Sequence, residues 1–128
     1  MAVERTQISS GSPWEGVVGY SRAVRVGTLV AVSGTVGRNP DGTVPAGAYA
    51  QAKRALEIIG DALRELGCGF EQVIRTRMYV TSISSFDEVA RAHSEMLGRV
   101  RPATSMVEVA RLVDDAFVVE IEADAVTG

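Results

Sequence analysis

Alternating apolar and polar positions predict a β-hairpin near the beginning of the chain. Val24 and Val26 alternate with polar neighbours up to Gly27, after which residues 29–32 are continuously apolar. We therefore expect two strands within residues 20–34 that meet at a turn. Residues 37–43 are rich in glycine, asparagine, aspartate and proline, which favour tight reversals, so they are predicted to form a loop.

The apolar period changes near Tyr49, and this change predicts the first helix. One face of the segment is apolar and the other is largely charged, as in a helix that covers a core. Gly67 follows the last apolar residue, where a left-handed residue commonly ends a helix, and Gly69 reinforces the stop. The apolar face comprises Ala52, Ala55, Leu56, Ile59, Leu63 and Leu66.

A strand and a second helix are predicted next. Residues 73–81 alternate, so that Ile74, Thr76, Met78 and Val80 share one face and Arg75, Arg77, Tyr79 and Thr81 share the other. Ser85 is expected to cap the second helix, with Glu88 returning the hydrogen bond in a capping box. The apolar stripe of this helix contains Phe86, Val89, Ala90, His93, Met96, Leu97 and Val100.

Two final strands are predicted at about residues 104–109 and 117–125. In the last strand, the apolar residues Val119, Ile121, Ala123 and Ala125 face one way and the acids Glu120, Glu122 and Asp124 face the other. Three acids on one face are costly to bury unless cations or water reach them. Arg75 and Arg77, on the polar face of another strand, are the candidate partners.

The resulting order β-β-α-β-α-β-β predicts an α+β fold in two layers, with one mixed sheet and both helices on its apolar face. The other face of the sheet is left uncovered. It mixes Tyr79 and strand valines with ionic groups, which favours packing against other subunits.

Composition narrows the class of protein. The chain has 128 residues and 46% hydrophobic content, which predicts a single domain over residues 1–128. A net charge of -3 with scattered arginines favours no nucleic-acid partner. A single cysteine cannot form an intrachain disulfide. One cysteine and one histidine cannot supply a conventional Cys/His zinc site, so we expect no metal. The start lacks a leader pattern and no apolar run could span a bilayer, so a cytoplasmic location without membrane contact is expected.

Four stretches carry a family resemblance. They are GYSRAVRVG at residues 19–27, VSG at 32–34, the helix that begins QA at 51–52, and PATSMVEV at 102–109 together with VEIEA at 119–123. In order and spacing, these stretches resemble the RidA/YjgF family of reactive intermediate deaminases. The resemblance implies a chorismate-mutase-like fold and a homotrimer with small-molecule sites at the subunit interfaces. Members hydrolyse enamines and imines to 2-keto acids and ammonia without a cofactor.

The resemblance also implies roles for individual residues. Glu120 matches the glutamate that holds the attacking water, and Tyr20 and Ser33 match residues that shape the cleft and bond the substrate. Met106 lies where a small residue lines the pocket. Thr104 stands where the family has the arginine that binds the substrate carboxylate, and Ala90 where it often has an asparagine. A hydroxyl cannot replace the charged fork of a guanidinium.

Two functions therefore remain open. The first is an imine or enamine deaminase whose substrate differs from 2-aminoacrylate. The second is a non-catalytic trimer that binds a small molecule as a sensor or accessory subunit. A ribonuclease ranks last, because the chain has one histidine and no cluster of basic and aromatic residues.

Each candidate residue also has a structural interpretation. Glu120 could simply pair with an arginine, and Tyr20 could pack at an interface. The position of His93 on an apolar stripe indicates a packed residue, and Cys68 is interpreted as an incidental thiol at a helix end. Trp14 could cover the mouth of a cleft. An arginine could supply the missing cation from another direction, and the candidates are Arg22, Arg75, Arg77 and Arg101.

Overall fold

Six strands and two helices form the part of the chain that this computed structural model describes, residues 3–128. In chain order they are β1 (Arg5–Ile8), β2 (Ala23–Val26), β3 (Leu29–Val36), α1 (Ala48–Glu65), β4 (Val73–Val80), α2 (Phe86–Leu97), β5 (Ala103–Glu108) and β6 (Val119–Val126). A π-helical turn lies at Glu15–Gly19, and 3-10 turns lie at Phe70–Gln72 and Ile83–Ser85.

All six strands form one mixed sheet in the order β1-β2-β3-β6-β4-β5. Only β4 and β5 are parallel, because α2 carries the chain back between them. The predicted α+β fold with a mixed sheet is confirmed. The predicted element order was wrong in one respect, since it omitted β1. This strand is short and mostly exposed, so it has no buried face to generate an apolar alternation.

The core lies between the sheet and α1. Every residue of the predicted apolar face, from Ala52 to Leu66, is buried, and Leu56 and Leu63 are fully so. Burying one such side chain stabilises the fold by about 1.5–3 kcal/mol. Gly67 has a φ of 78°, the left-handed conformation that was expected to end the helix.

The predicted orientation of Ile74 toward the core was wrong, because β4 contains a β-bulge at this residue. Val73 pairs with Ala125 of β6 and Arg75 pairs with Asp124, so β4 contains one extra residue at this point. The bulge breaks the simple alternation, and Ile74 is 51% exposed. Thr76, Met78 and Val80 do face the core, as predicted.

The predicted capping box of α2 was also wrong. The Ser85 side chain makes no capping hydrogen bond, and its backbone is not extended. The 3-10 turn runs directly into α2, so Ser85 lacks the β-region backbone that lets a capping hydroxyl reach the first helical N–H groups. Phe86, placed on the apolar stripe, is 51% exposed, whereas Val89 and Leu97 are buried.

The face of the sheet opposite the helices carries ionic groups. Glu120, Glu122 and Asp124 alternate with buried residues along β6, as predicted. Arg77 pairs with Glu122 at 3.3 Å and with Asp124 at 3.4 Å. Within residues 3–128 Arg75 makes no ion pair, so only one of the two predicted partners is confirmed.

Exposed apolar residues lie on the same open face. Leu29 is 55% exposed, Val107 is 46% exposed and Val126 is 40% exposed. Leu29 and Val126 pair directly across β3 and β6. No element of residues 3–128 covers this surface.

None of the helices in residues 3–128 combines the length and the hydrophobicity that a membrane span requires.

Candidate functional site

A second bulge, in β3, positions the centre of the candidate site. Val32 pairs with Ala123 of β6 and Thr35 pairs with Ile121, so Ser33 and Gly34 occupy a place where β6 has a single residue. An added Cβ on Gly34 would lie 2.6 Å from Oε2 of Glu120. The carboxylate of Glu120 therefore rests directly against the glycine backbone.

Glu120 is half-buried and keeps an unusual electrostatic environment. Burial raises the pKa of its carboxyl above the ordinary value of 4.5, and the nearby charge of Glu122 raises it further. Arg22 opposes both effects. A carboxylate with a raised pKa in a cavity is the kind of group that accepts a proton from water near neutral pH.

Arg22 bonds the backbone of the same glycine. Its Nη2 donates a hydrogen bond to the carbonyl oxygen of Gly34 at 2.9 Å. Burial lowers the pKa of this guanidinium, partly offset by Tyr20, Glu15 and Glu120. We call Tyr20, Arg22, Gly34 and Glu120 the Glu120 group.

Two cavities meet at Tyr20. The larger, of 680 Å³, is lined by the whole Glu120 group and by Trp14, which is 58% exposed at its edge. The smaller, of 470 Å³, is lined by Tyr20, Ser33 and the ionic residues of the open sheet face. A ligand in either cavity would therefore lie beside this tyrosine.

Ser33 is already engaged. Its hydroxyl donates to the carbonyl oxygen of Ser21 at 2.6 Å. With its proton committed, Ser33 can accept a hydrogen bond from a ligand but has none left to donate.

Thr104 and Met106 lie elsewhere. Both are on β5 in register with Thr76 and Met78, whose side chains face the core, so both point to the helix side of the sheet. Glu120 pairs with Tyr79 and points to the opposite side. Neither Thr104 nor Met106 lines the two cavities described above.

Thr104 instead ends a chain of hydrogen bonds. Its Oγ1 lies 2.7 Å from Oγ1 of the buried Thr76, which in turn lies 2.8 Å from Nε2 of His93 on α2. Burial lowers the pKa of His93, which favours the neutral imidazole. We call Thr104, Thr76 and His93 the Thr104 group.

The five predicted site residues therefore divide into two regions of one chain. Tyr20, Ser33 and Glu120 lie together around the cavities, whereas Thr104 and Met106 lie on the other side of the sheet. Within one chain the two regions therefore face opposite sides of the sheet.

Thr76 was missed by sequence reasoning, which assigned it to the packed face of β4. The available signal was a lone hydroxyl among apolar positions, since a buried polar side chain needs a partner. His93 was expected to be a packed residue, and it is half-buried, but its ring also bonds Thr76.

The described residues give little support to metal binding or to a reactive thiol. Within residues 3–128 no group of three or more His, Cys, Asp or Glu side chains could hold a metal ion. Cys68 is buried, and burial raises the pKa of its thiol, which disfavours the reactive thiolate.

The fold and the cavities define a small α+β protein with an acid, an arginine and a tyrosine on the wall of one cavity. A model of the family described as Endoribonuclease L-PSP matches residues 12–127. The chain therefore belongs to this family, which includes the RidA/YjgF proteins.

Individual relatives agree with this assignment. A rat protein named 2-iminobutanoate/2-iminopropanoate deaminase is 33% identical over 99% of this chain and 93% of its own length. The crystal structure of a YjgF/YER057c/UK114 family member from Mycobacterium tuberculosis is 48% identical, with a TM-score of 0.88 over 97% of this chain and all of the other. The YjgF structure from E. coli is 30% identical, with a TM-score of 0.81 over 94% of this chain and 92% of its own.

Proposed function

We propose that the protein is a cofactor-independent hydrolase of small imines or enamines, with its sites at the interfaces of a homotrimer. The observation that carries this proposal is Glu120, a half-buried carboxylate of raised pKa on the wall of a cavity. The deaminase names of relatives that match nearly the whole chain support the reaction class.

In the proposed reaction water adds to the C=N carbon and ammonia leaves, so that an imine and water become a carbonyl compound and ammonia. Glu120 orients the water and accepts its proton, then returns a proton to the departing nitrogen. Tyr20 donates from its hydroxyl, and Ser33 accepts through its oxygen. General acid–base assistance of this kind contributes about 10²–10⁴-fold to a rate.

The trimer is proposed because the two regions of the site face opposite ways in one chain. A neighbouring subunit packed on the open sheet face would bring its own Thr104 and Met106 to the Glu120 group. The exposed Leu29, Val107 and Val126 suit such an apolar contact.

The substrate is proposed to differ from 2-aminoacrylate. Thr104 has no positive charge with which to hold a carboxylate in the geometry of an arginine fork. A substrate with a longer or differently placed side chain could use the space beside Trp14.

The test is hydrolysis of a panel of 2-imino acids generated in situ from different amino acids, followed through the 2-oxo acid formed. The wild type should accelerate at least one member, and Glu120→Gln should lose about 10²-fold or more of that rate. Glu88→Gln, an exposed acid in the first turn of α2, is the matched control and should retain the full rate.

The pH profile adds a second readout. The rate should rise with pH as Glu120 loses its proton, and the midpoint should lie above the 4.5 of an ordinary glutamate. A panel on which the wild type is no faster than Glu120→Gln would contradict the hydrolase proposal.

The second candidate is a non-catalytic small-molecule-binding trimer, a sensor or accessory subunit. Thr104 favours it, because its hydroxyl is held in a hydrogen-bond chain rather than placed beside Glu120. Binding of a ligand in the cavities without any turnover would support this function.

A further inference from the structure

Arg22 carries a half-buried positive charge. No carboxylate of residues 3–128 forms an ion pair with its guanidinium. Of its five N–H donors, one bonds the Gly34 carbonyl, and the buried Nε has no partner among the described residues. Because a desolvated charge is unfavourable unless it is paired, this arrangement is incomplete.

The surroundings of Arg22 show where a partner would come from. The guanidinium lines the 680 Å³ cavity together with Glu120 and Tyr20. The carboxylates near enough to affect its pKa are those of Glu15 and Glu120, and neither forms an ion pair with it. Glu15 is held by the backbone N–H of Ser10 and by the hydroxyls of Ser9 and Ser10, so its oxygens are already engaged.

Gly34 joins the arginine to the proposed base. Its carbonyl oxygen accepts from Arg22, and its Cα lies against the Glu120 carboxylate. Arg22 and Glu120 thus contact the same glycine, so an anion bound to Arg22 would lie close to the carboxylate that is proposed to orient water.

We propose that Arg22 binds the carboxylate of the substrate and so supplies, from within the Glu120 group, the cation that Thr104 lacks. The inference rests on the proposed function, whose reaction it makes more specific. In a 2-imino acid the C=N carbon is bonded directly to the carboxylate carbon. Anchoring that carboxylate on Arg22 places the electrophilic carbon one bond away, beside the water on Glu120.

This assignment predicts selectivity for 2-imino and 2-oxo acids, in which the carboxylate is bonded directly to the C=N or C=O carbon, whatever the length of the side chain. A substrate whose carboxylate is several bonds from the C=N carbon would place that carbon away from Glu120. A neutral analogue would leave Arg22 unpaired and bind weakly.

Calorimetric titration with pyruvate and with pyruvamide, an uncharged analogue of similar size, tests the anchor without requiring turnover. The wild type should bind pyruvate about tenfold or more tightly than pyruvamide. Arg22→Gln should abolish this preference by weakening pyruvate binding alone, and Arg22→Lys should keep part of it, since a lysine retains the charge but not the fork. Arg99→Gln removes an exposed arginine outside both cavities and should behave as the wild type.

Each variant is checked for folding by thermal unfolding before titration. If Arg22→Gln does not fold, Arg22→Lys and the comparison of the two ligands on the wild type still decide the matter. A wild type without preference for pyruvate, or an Arg22→Gln variant that keeps the full preference, would overturn the assignment.

The same variants separate this inference from the proposed reaction. Hydrolysis that continues at the full rate in Arg22→Gln overturns the anchor and leaves the hydrolase intact. Pyruvate binding that depends on Arg22, in a protein that hydrolyses no imine, supports the anchor and favours the ligand-binding trimer.

Discussion

The Glu120 group and the Thr104 group lie on opposite sides of the same sheet, and their polar atoms are satisfied in different ways. In the Thr104 group each hydroxyl or ring nitrogen bonds the next, from Thr104 through Thr76 to His93. In the Glu120 group the pKa of the carboxylate is raised by burial and by the charge of Glu122. Nε of Arg22 has no hydrogen-bond partner among residues 3–128. Because unpaired buried groups are costly, they persist where function requires them.

The position of the positive charge differs from what the family resemblance implies. The pattern places the substrate anchor at position 104, but here that side chain is part of a satisfied network. Arg22, by contrast, carries a half-buried positive charge that forms no ion pair within residues 3–128. The Glu120 group therefore resembles a binding site, whereas the Thr104 group is a satisfied hydrogen-bond network between α2 and the edge of the sheet.

The largest expected effect is the recovery of activity in mixed trimers, where Glu120 of one subunit and Thr104 of a neighbouring subunit would share a cleft. Glu120→Gln and Thr104→Trp should each be inactive, since one lacks the base and the other blocks the cleft from the neighbouring chain. When the two variants are unfolded and refolded together, about a quarter of the clefts in a statistical cyclic trimer should combine intact halves. Activity should then return toward about a quarter of the wild-type rate in the imine assay.

Each variant refolded alone is the control and should stay inactive. A mixture that recovers no activity, although it forms mixed trimers, would mean that Thr104 and Glu120 do not share a cleft.

Removing the central hydroxyl of the Thr104 group should mainly affect stability. Thr76→Val leaves His93 and Thr104 without their shared partner, which should lower the free energy of unfolding by about 1–3 kcal/mol. Urea denaturation measures this loss. Thr6→Val, on the exposed strand β1, should change stability by less than about 0.5 kcal/mol. An equally small loss for Thr76→Val would show that the network contributes nothing to folding.

A methyl group at Gly34 should act on the other region, with little effect on the fold. Gly34 does not have a positive φ, so alanine is compatible with the backbone, but its Cβ would displace the flexible Glu120 carboxylate. Gly34→Ala should reduce imine hydrolysis by about tenfold while the melting temperature is retained. Gly16→Ala, whose Cβ would meet nothing within 4 Å, is the control. Full activity in Gly34→Ala would show that Glu120 need not rest on this glycine.

The smallest effect should be the pH dependence of His93. Burial lowers its pKa in the folded state below the 6.5 of a free histidine, so the unfolded chain binds the proton more readily. Stability should therefore fall as the pH decreases below about 6.5, and this contribution is lost fully below the folded pKa. Denaturation at pH 7 and pH 5 should show a smaller decrease for His93→Gln than for the wild type. Equal decreases would contradict a buried neutral imidazole.

Much of the fold could be predicted from periodicity. The face of α1, the alternation of β6 and the stop at Gly67 each follow from local spacing, because side chains must repeat with the geometry of the element that carries them. The strand β1 could not be predicted this way, since its exposed residues carry no apolar signal. Ile74 was misplaced because a single inserted residue moves a side chain to the other face.

The candidate site was predicted less completely. The residues Tyr20, Ser33 and Glu120 could be named from the family pattern, and they do lie around the two cavities. Their relation to Arg22 depends on the bulge in β3, which has no local signature in the alternation. Thr76 was visible only as a hydroxyl among apolar neighbours.

The helices, most of the strands and the family could be predicted from residue spacing along the chain, because each depends on local periodicity or on motif order. Which polar groups meet could be read only from the folded chain, in which Arg22 and Glu120 lie against one glycine and Thr104 bonds Thr76. Hydrogen-bond partnership and desolvation depend on distances between segments that are far apart in sequence, and no pattern along the chain records those distances.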